Sequence, residues 1–266
     1  MTTALAQLFE KTRSENRAAL IAYIPAGYPT QEGCKAVIDA FADAGVDAIE
    51  IGFPYSDPVM DGPTIQEASN TSLNAGTGAK EVFEALAHAT SRGIPSVVMT
   101  YWNPIEKYGT EAFAASIASN SGSGVITPDL PPDESDLWIT ATDQNKIDRV
   151  FVVAPSSSEE RLKLVTNNVT GFVYAASLMG VTGTRTEVSS RAEELVKRIR
   201  VHTQLPVAVG LGVSTSEQAH EVAKFADGVI VGSAFVKAIL EQPDLSKAVA
   251  AVVQLSKDFA RGVRKD

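Results

Sequence analysis

In the run Ala48-Ile49-Glu50-Ile51-Gly52 a single carboxylate sits among apolar and small residues. If the run is a strand, its side chains alternate between faces, so Ile49 and Ile51 share one face and Ala48, Glu50 and Gly52 the other. An acid on the inner face of a closed sheet is largely desolvated, which disfavours its ionised form and raises its pKa. Such a group gives and takes protons near neutral pH, so Glu50 is the first candidate for general acid/base work. Pairing with a buried base is the other use of a buried Glu, but no Lys or Arg falls near the C-terminal end of a strand run.

Asp61 follows in Tyr55-Ser56-Asp57-Pro58-Val59-Met60-Asp61-Gly62-Pro63. Asp-Gly-Pro is ordinary turn chemistry, and alone it marks a bend. Its address suggests more. A loop leaving the strand that carries Glu50 can fold back over the strand ends, so that two carboxyls in different environments face one cavity.

A phosphate signal lies in three glycine-bearing loops: Gly180-Val181-Thr182-Gly183, Gly210-Leu211-Gly212-Val213-Ser214 and Gly232-Ser233-Ala234. Glycine permits close backbone approach, and the start of a helix offers free N–H groups to an anion. Ser233 adds a hydroxyl at a helix expected to begin at Ala234-Phe235. Tyr23, Met99 and Tyr174 read as pocket walls, with a plain core role as the alternative. His88, His202 and His220 fall on helical segments or their ends, which supports neither a metal cluster nor a catalytic histidine. Cys34 reads as a helix-face residue. Lys35, Lys80, Lys107, Lys146, Lys163, Lys197, Lys224 and Lys237 all fall on helices or loops, which argues against Schiff-base aldolase chemistry.

The elements that must hold these residues are legible as eight β-rich runs: 20–24, 48–53, 95–101, 124–130, 149–154, 171–177, 206–212 and 228–234. Segments with helical spacing lie between them, such as Val37, Phe41 and Ala44, or Val82, Leu86 and Ala89, or Leu195, Val196 and Ile199. Strict alternation implies parallel pairing, and nearly continuous apolar runs such as 150–154 suit strands covered on both faces. These features predict an α/β fold, a single (β/α)8 TIM barrel covering residues 1–266. Leu5, Leu8 and Phe9 predict an extra N-terminal helix plugging the barrel bottom. The connections 54–78 and 178–188 predict long active-site loops at the ends of strands two and six.

Composition bounds the rest. The chain has 266 residues, near the usual barrel length of about 250. A net charge of -9 without a clustered basic face argues against nucleic acid as a partner. One cysteine excludes an intrachain disulfide, and no apolar run of about 18 residues spans a bilayer. The reading is a cytoplasmic, soluble protein without membrane contact.

The unbroken segment 49–62 resembles the hallmark of the tryptophan synthase alpha family. Pro25-Ala26-Gly27-Tyr28-Pro29, Asn103-Pro104-Ile105, Pro128-Asp129-Leu130-Pro131 and Gly180-Val181-Thr182-Gly183 extend the resemblance over essentially the whole chain. It implies retro-aldol cleavage of indole-3-glycerol phosphate, with Glu50 as main acid/base and Asp61 as second carboxylate. It further implies that Tyr174 and Thr182 orient these groups and that Gly183, Gly212, Gly232 and Ser233 hold the phosphate. No cofactor is implied in this chain. The implied partner is a pyridoxal-phosphate beta subunit in an alpha-beta-beta-alpha complex, with Pro54, Tyr55, Asp57, Pro58, Pro104 and Pro131 as candidate contacts. Two departures bear on the pocket and on loop closure: Leu211 stands where many relatives carry Phe, and Leu178-Met179 where others carry Arg and a small residue. The rival expectations are another phosphate-binding barrel aldolase or isomerase, and a weakly catalytic regulatory subunit.

Overall fold

The computed structural model describes residues 3–176, 185–210 and 212–265, with the backbone alone for 185–189. Eight strands run β1 (Ala19–Pro25), β2 (Ala48–Gly52), β3 (Ser96–Met99), β4 (Gly124–Thr127), β5 (Asp148–Val153), β6 (Val173–Ala176), β7 (Val207–Gly210) and β8 (Gly228–Val231). They close into a barrel in sequence order, every pair parallel. This is the predicted (β/α)8 architecture.

Alternation along each strand sorts the core into two clusters. Ile49 and Ile51 pack outward against the helix layer with Val98, Val125 and Val209. Ala48, Ile21, Val97, Ile126, Val150, Ala208 and Ile230 fill the lumen. The helix Ala4–Ser14 closes the lumen from below by adding Leu5, Leu8 and Phe9 to that inner cluster. Thr3 caps this helix by accepting from the Ala6 N–H at 3.2 Å, and Phe9 meets Phe172 with ring centroids 5.7 Å apart. Burying a side chain of that size contributes roughly 1.5–3 kcal/mol, enough to hold a short helix that would be marginal alone.

Strand ends depart from the sequence reading at the C-terminal rim. The third, fourth and eighth runs stop pairing at Met99, Thr127 and Val231, several residues before the apolar pattern ends. Beyond them the backbone turns outward to begin helices. Gly232 becomes the N-cap of a helix starting at Ser233, one residue earlier than expected. The stretch 54–78 is not all loop. Gly62 and Pro63 start a helix, Pro63–Asn74, whose Ile65, Ala68, Ser69 and Ser72 are buried, leaving residues 53–62 as the extended connection after β2. Among the described residues no helix is long and apolar enough to cross a membrane.

Candidate active site

Glu50 is centred on β2, paired in register with Tyr23 of β1 and Val97 of β3. It is 1% exposed, and its Oε1 has no hydrogen-bond partner among the described residues. Burial pushes its pKa up to about 8, with no opposing hydrogen bond or cation. At neutral pH the group is therefore mostly a neutral acid with a proton to give, and its conjugate base is strong enough to take one back.

Three further side chains face the same space. Tyr23 and Tyr174 both have phenol pKa values held well above the ordinary one, by burial first and then by the nearby carboxylates of Glu50 and Asp61. Their rings need room, and glycines supply it. A Cβ added at Gly52 would lie 2.3 Å from Tyr23 Oη, and one added at Gly210 would lie 2.5 Å from Tyr174 Oη. Both distances are below any real contact, so each tyrosine occupies the volume a side chain on the neighbouring strand would take. Gly210 was read from the sequence as part of a phosphate loop; it is a strand residue that accommodates Tyr174. Met99 ends β3, half-buried against both the inner and the outer cluster, as a wall residue should be.

Asp61 reaches this space from the connection after β2. Burial raises its pKa, and a hydrogen bond from the Tyr101 phenol pulls it back down. The two acids are thus differentiated by environment. Glu50 has only desolvation acting on it, whereas Asp61 has a donor that favours its ionised form.

Tyr101, which sequence reasoning passed over, also reaches this loop. It lies 5% exposed just beyond β3, and its Oη also accepts the Met60 N–H at 3.0 Å. A signal was present: Tyr101 is two residues past Met99 and so shares its inward parity, a hydroxyl-bearing ring at a strand's C-terminal end. Its ring packs on Tyr55 at a centroid distance of 5.2 Å, and Tyr55 Oη accepts from Asn103 Nδ2 at 3.1 Å.

The glycine loops after β7 and β8 open on the same rim. Gly212 has φ +63°, a left-handed conformation that favours glycine. Ser214 is already engaged, its N–H and hydroxyl both donating to Gln218 Oε1 at 2.8 and 3.0 Å. Gly232 caps the helix Ser233–Leu240, with its carbonyl accepting from Phe235 and Val236 at 3.0 and 3.2 Å. The first N–H groups of that helix have no preceding turn to bond and can serve an anion. A Cβ at Gly232 would sit 3.4 Å from Tyr23 Cβ, so this helix start adjoins the acid-bearing pocket. Thr182, Gly183, Leu178, Met179 and Leu211 lie outside the described residues.

The other residues singled out in the sequence lie away from the lumen. His88 and His202 bond Asp39 and Glu159 at 3.0 and 2.9 Å on the helix layer, and His220 contacts the Arg264 carbonyl at 3.0 Å. Cys34 is buried on the helix Gln31–Asp43, its thiol pushed up to about 11 by desolvation. Of the residues expected to meet a partner, Asp57 is exposed, Tyr55, Pro58, Pro104 and Pro131 are half-buried, and Pro54 is buried within the chain.

Comparison with known proteins agrees with this arrangement. Residues 9–264 match the family described as "Tryptophan synthase alpha chain". A tryptophan synthase alpha chain from Acidothermus cellulolyticus is 51% identical over 263 residues, covering 99% of this chain and 98% of that protein. Another from Streptomyces coelicolor is 53% identical over 253 residues, covering 95% and 93%. Among solved structures, that of Mycobacterium tuberculosis tryptophan synthase superposes with a TM-score of 0.93 at 44% identity, each chain covered completely at 100%.

Proposed function

The chain belongs to the tryptophan synthase alpha chain family, and on that premise we propose that its barrel mouth cleaves indole-3-glycerol phosphate through Glu50 and Asp61. The products are indole and glyceraldehyde 3-phosphate. The observation that carries the residue assignment is the Glu50 carboxyl, nearly dry, unpartnered at one oxygen and held with its pKa at about 8.

Breaking the bond between indole C3 and the glycerol side chain needs somewhere for the electron pair to go. Glu50 supplies a proton to C3, which turns the ring into an iminium-like sink. Asp61, ionised, accepts a hydrogen bond from the ring N–H as positive charge develops there and stabilises the transition state. The Glu50 carboxylate then takes the proton from the hydroxyl on the departing carbon as that carbon becomes the aldehyde. The carbon–carbon pair returns to the indole ring, and Glu50 is protonated again for the next turnover. Tyr23, Met99 and Tyr174 wall the indole, with Thr182 orienting the two acids. Gly183, Gly212, Gly232 and Ser233 hold the phosphate, the helix start at Ser233 contributing main-chain N–H groups without any Lys or Arg.

Residues 1–266 act as one cytoplasmic barrel domain. Pyridoxal phosphate belongs to the beta subunit that receives the indole, not to this chain. The contact surface includes Tyr55, Asp57, Pro58, Pro104 and Pro131. Val59 and Met60 on the same loop, 78% and 44% exposed, supply the apolar area that an interface core needs. The test is release of indole from indole-3-glycerol phosphate with and without the cognate beta subunit. Cleavage that accelerates in the complex supports the assignment. No cleavage in a verified complex refutes it, and an unchanged rate refutes the coupling.

A further inference from the structure

A buried phenol stands between the strand ends and the loop that carries Asp61. Tyr101 is 5% exposed, two residues beyond the end of β3. It is directed at the connection 53–62: it accepts the Met60 N–H at 3.0 Å and lies beside the Asp61 carboxylate, whose pKa it lowers. We propose that Tyr101 is a positioning residue for the cleavage reaction, its phenol aiming the Asp61 carboxylate into the barrel mouth while pinning the loop that carries it. The inference rests on the reading of Asp61 as the acceptor of the indole N–H.

The geometry is specific. Asp61 sits on a loop with exposed neighbours at Val59 and Met60, and the Tyr101 phenol is the side chain that lowers its pKa. A loop acid held by a single tyrosine whose ring is stacked on Tyr55, itself tied to Asn103, inherits the rigidity of the strand end. One phenol does both jobs, because its oxygen accepts a backbone N–H and its proton is donated to the carboxylate.

The role predicts a pH signature. Tyr101 from the end of β3, Tyr23 from β1, Tyr174 from β6 and Glu50 from β2 are the titratable groups around Asp61. Of these, Tyr101 is the one that favours the Asp61 anion by hydrogen bonding, against the burial that disfavours it. Removing that bond raises the Asp61 pKa further, so the ionised fraction at low pH falls and the acid limb of the kcat profile moves to higher pH. The alkaline limb, set by Glu50, stays in place.

The experiment compares wild type and Tyr101→Phe, each in complex with the beta subunit, on indole-3-glycerol phosphate across pH. Phe keeps the stack on Tyr55 and loses only the hydroxyl. The expected result is a roughly tenfold fall in kcat, with KM little changed, in line with the loss of one hydrogen bond to a charged group. The acid limb should also shift upward by about one pH unit, the equivalent of the same tenfold. A folded variant whose acid limb and kcat both match wild type overturns the proposal. Wild type that fails to cleave overturns the functional reading beneath it, a distinguishable outcome.

A second measurement needs no change at Tyr101. The tyrosine Cζ resonance of Tyr101 in the labelled wild-type protein should inflect with the acid limb and lose that inflection in Asp61→Asn. A Tyr101 signal indifferent to Asp61 overturns the proposal even if Tyr101→Phe does not fold.

Discussion

The barrel buries a carboxylic acid at each end, and the two have opposite fates. Asp148 begins β5 at the floor, 3% exposed, with Oδ2 unpartnered among the described residues and burial raising its pKa. Glu50 lies toward the mouth, 1% exposed, with Oε1 unpartnered and its pKa raised by the same cause. By burial alone they are equivalent. Two hydroxyls bond Asp148, from Thr3 on the plug helix and from Thr170, and Leu5 packs beside it against the space over Gly171. Among the described residues Glu50 Oε1 has no partner, and Tyr23 and Tyr174 lie beside the carboxyl. A desolvated acid sealed under a helix serves as a structural joint; the same acid facing a walled space has the access that the proposed proton transfer needs. Perturbation marks a candidate, and access decides its use.

That contrast can be broken by exchanging acid for amide at each end. Glu50→Gln should lower kcat by about 10³-fold, within the range for a lost general acid, while substrate still binds. Steady-state assays and equilibrium binding together check this, and retained turnover would contradict the role. Asp61→Asn should cost about 10²-fold, since one electrostatic stabiliser is lost but the proton donor remains. Asp148→Asn should leave kcat within about twofold of wild type, because the side chain reaches no reacting atom; a loss approaching that of Glu50→Gln would erase the distinction between floor and mouth.

The floor has its own test. Phe9→Ala should destabilise the protein by about 3–5 kcal/mol through the cavity left against Phe172. Denaturant unfolding measures that cost, and the surviving folded fraction should keep its kcat.

A separate expected effect is on stability against pH. Glu50 has a folded pKa raised from 4.5 to about 8, so its contribution to stability is fully present below pH 4.5 and is lost as pH rises through about 8. Glu50→Gln should therefore raise Tm relative to wild type at pH 9 and leave the difference near zero at pH 4. A Tm difference independent of pH would mean that the group is not desolvated.

Much of this contrast was written in the chain. Period-two alternation placed Glu50 inward between Ile49 and Ile51, and the spacing of Leu5, Leu8 and Phe9 foretold the plug, because both rest on local geometry that burial then enforces. Less legible was where pairing stops. The apolar runs continue past Met99, Thr127 and Val231, but a parallel ladder ends where a neighbour's backbone turns away, which is a tertiary event. The helix Pro63–Asn74 hid behind a turn-like composition because only four of its side chains are buried. Tyr101 was missed for a related reason. Its partners, Met60 and Asp61, are about forty positions away in sequence, and no local pattern reports a loop folding back.

The central claim, that the mouth holds a neutral carboxyl able to donate a proton at pH 7, is tested most directly by titrating Glu50 itself. Carbon-13 side-chain carboxyl resonances followed from pH 4 to 10 should contain one glutamate signal with a midpoint near 8, absent from Glu50→Gln. A Glu50 resonance titrating near the ordinary value of about 4.3 would show an ionised group at neutral pH and contradict the account.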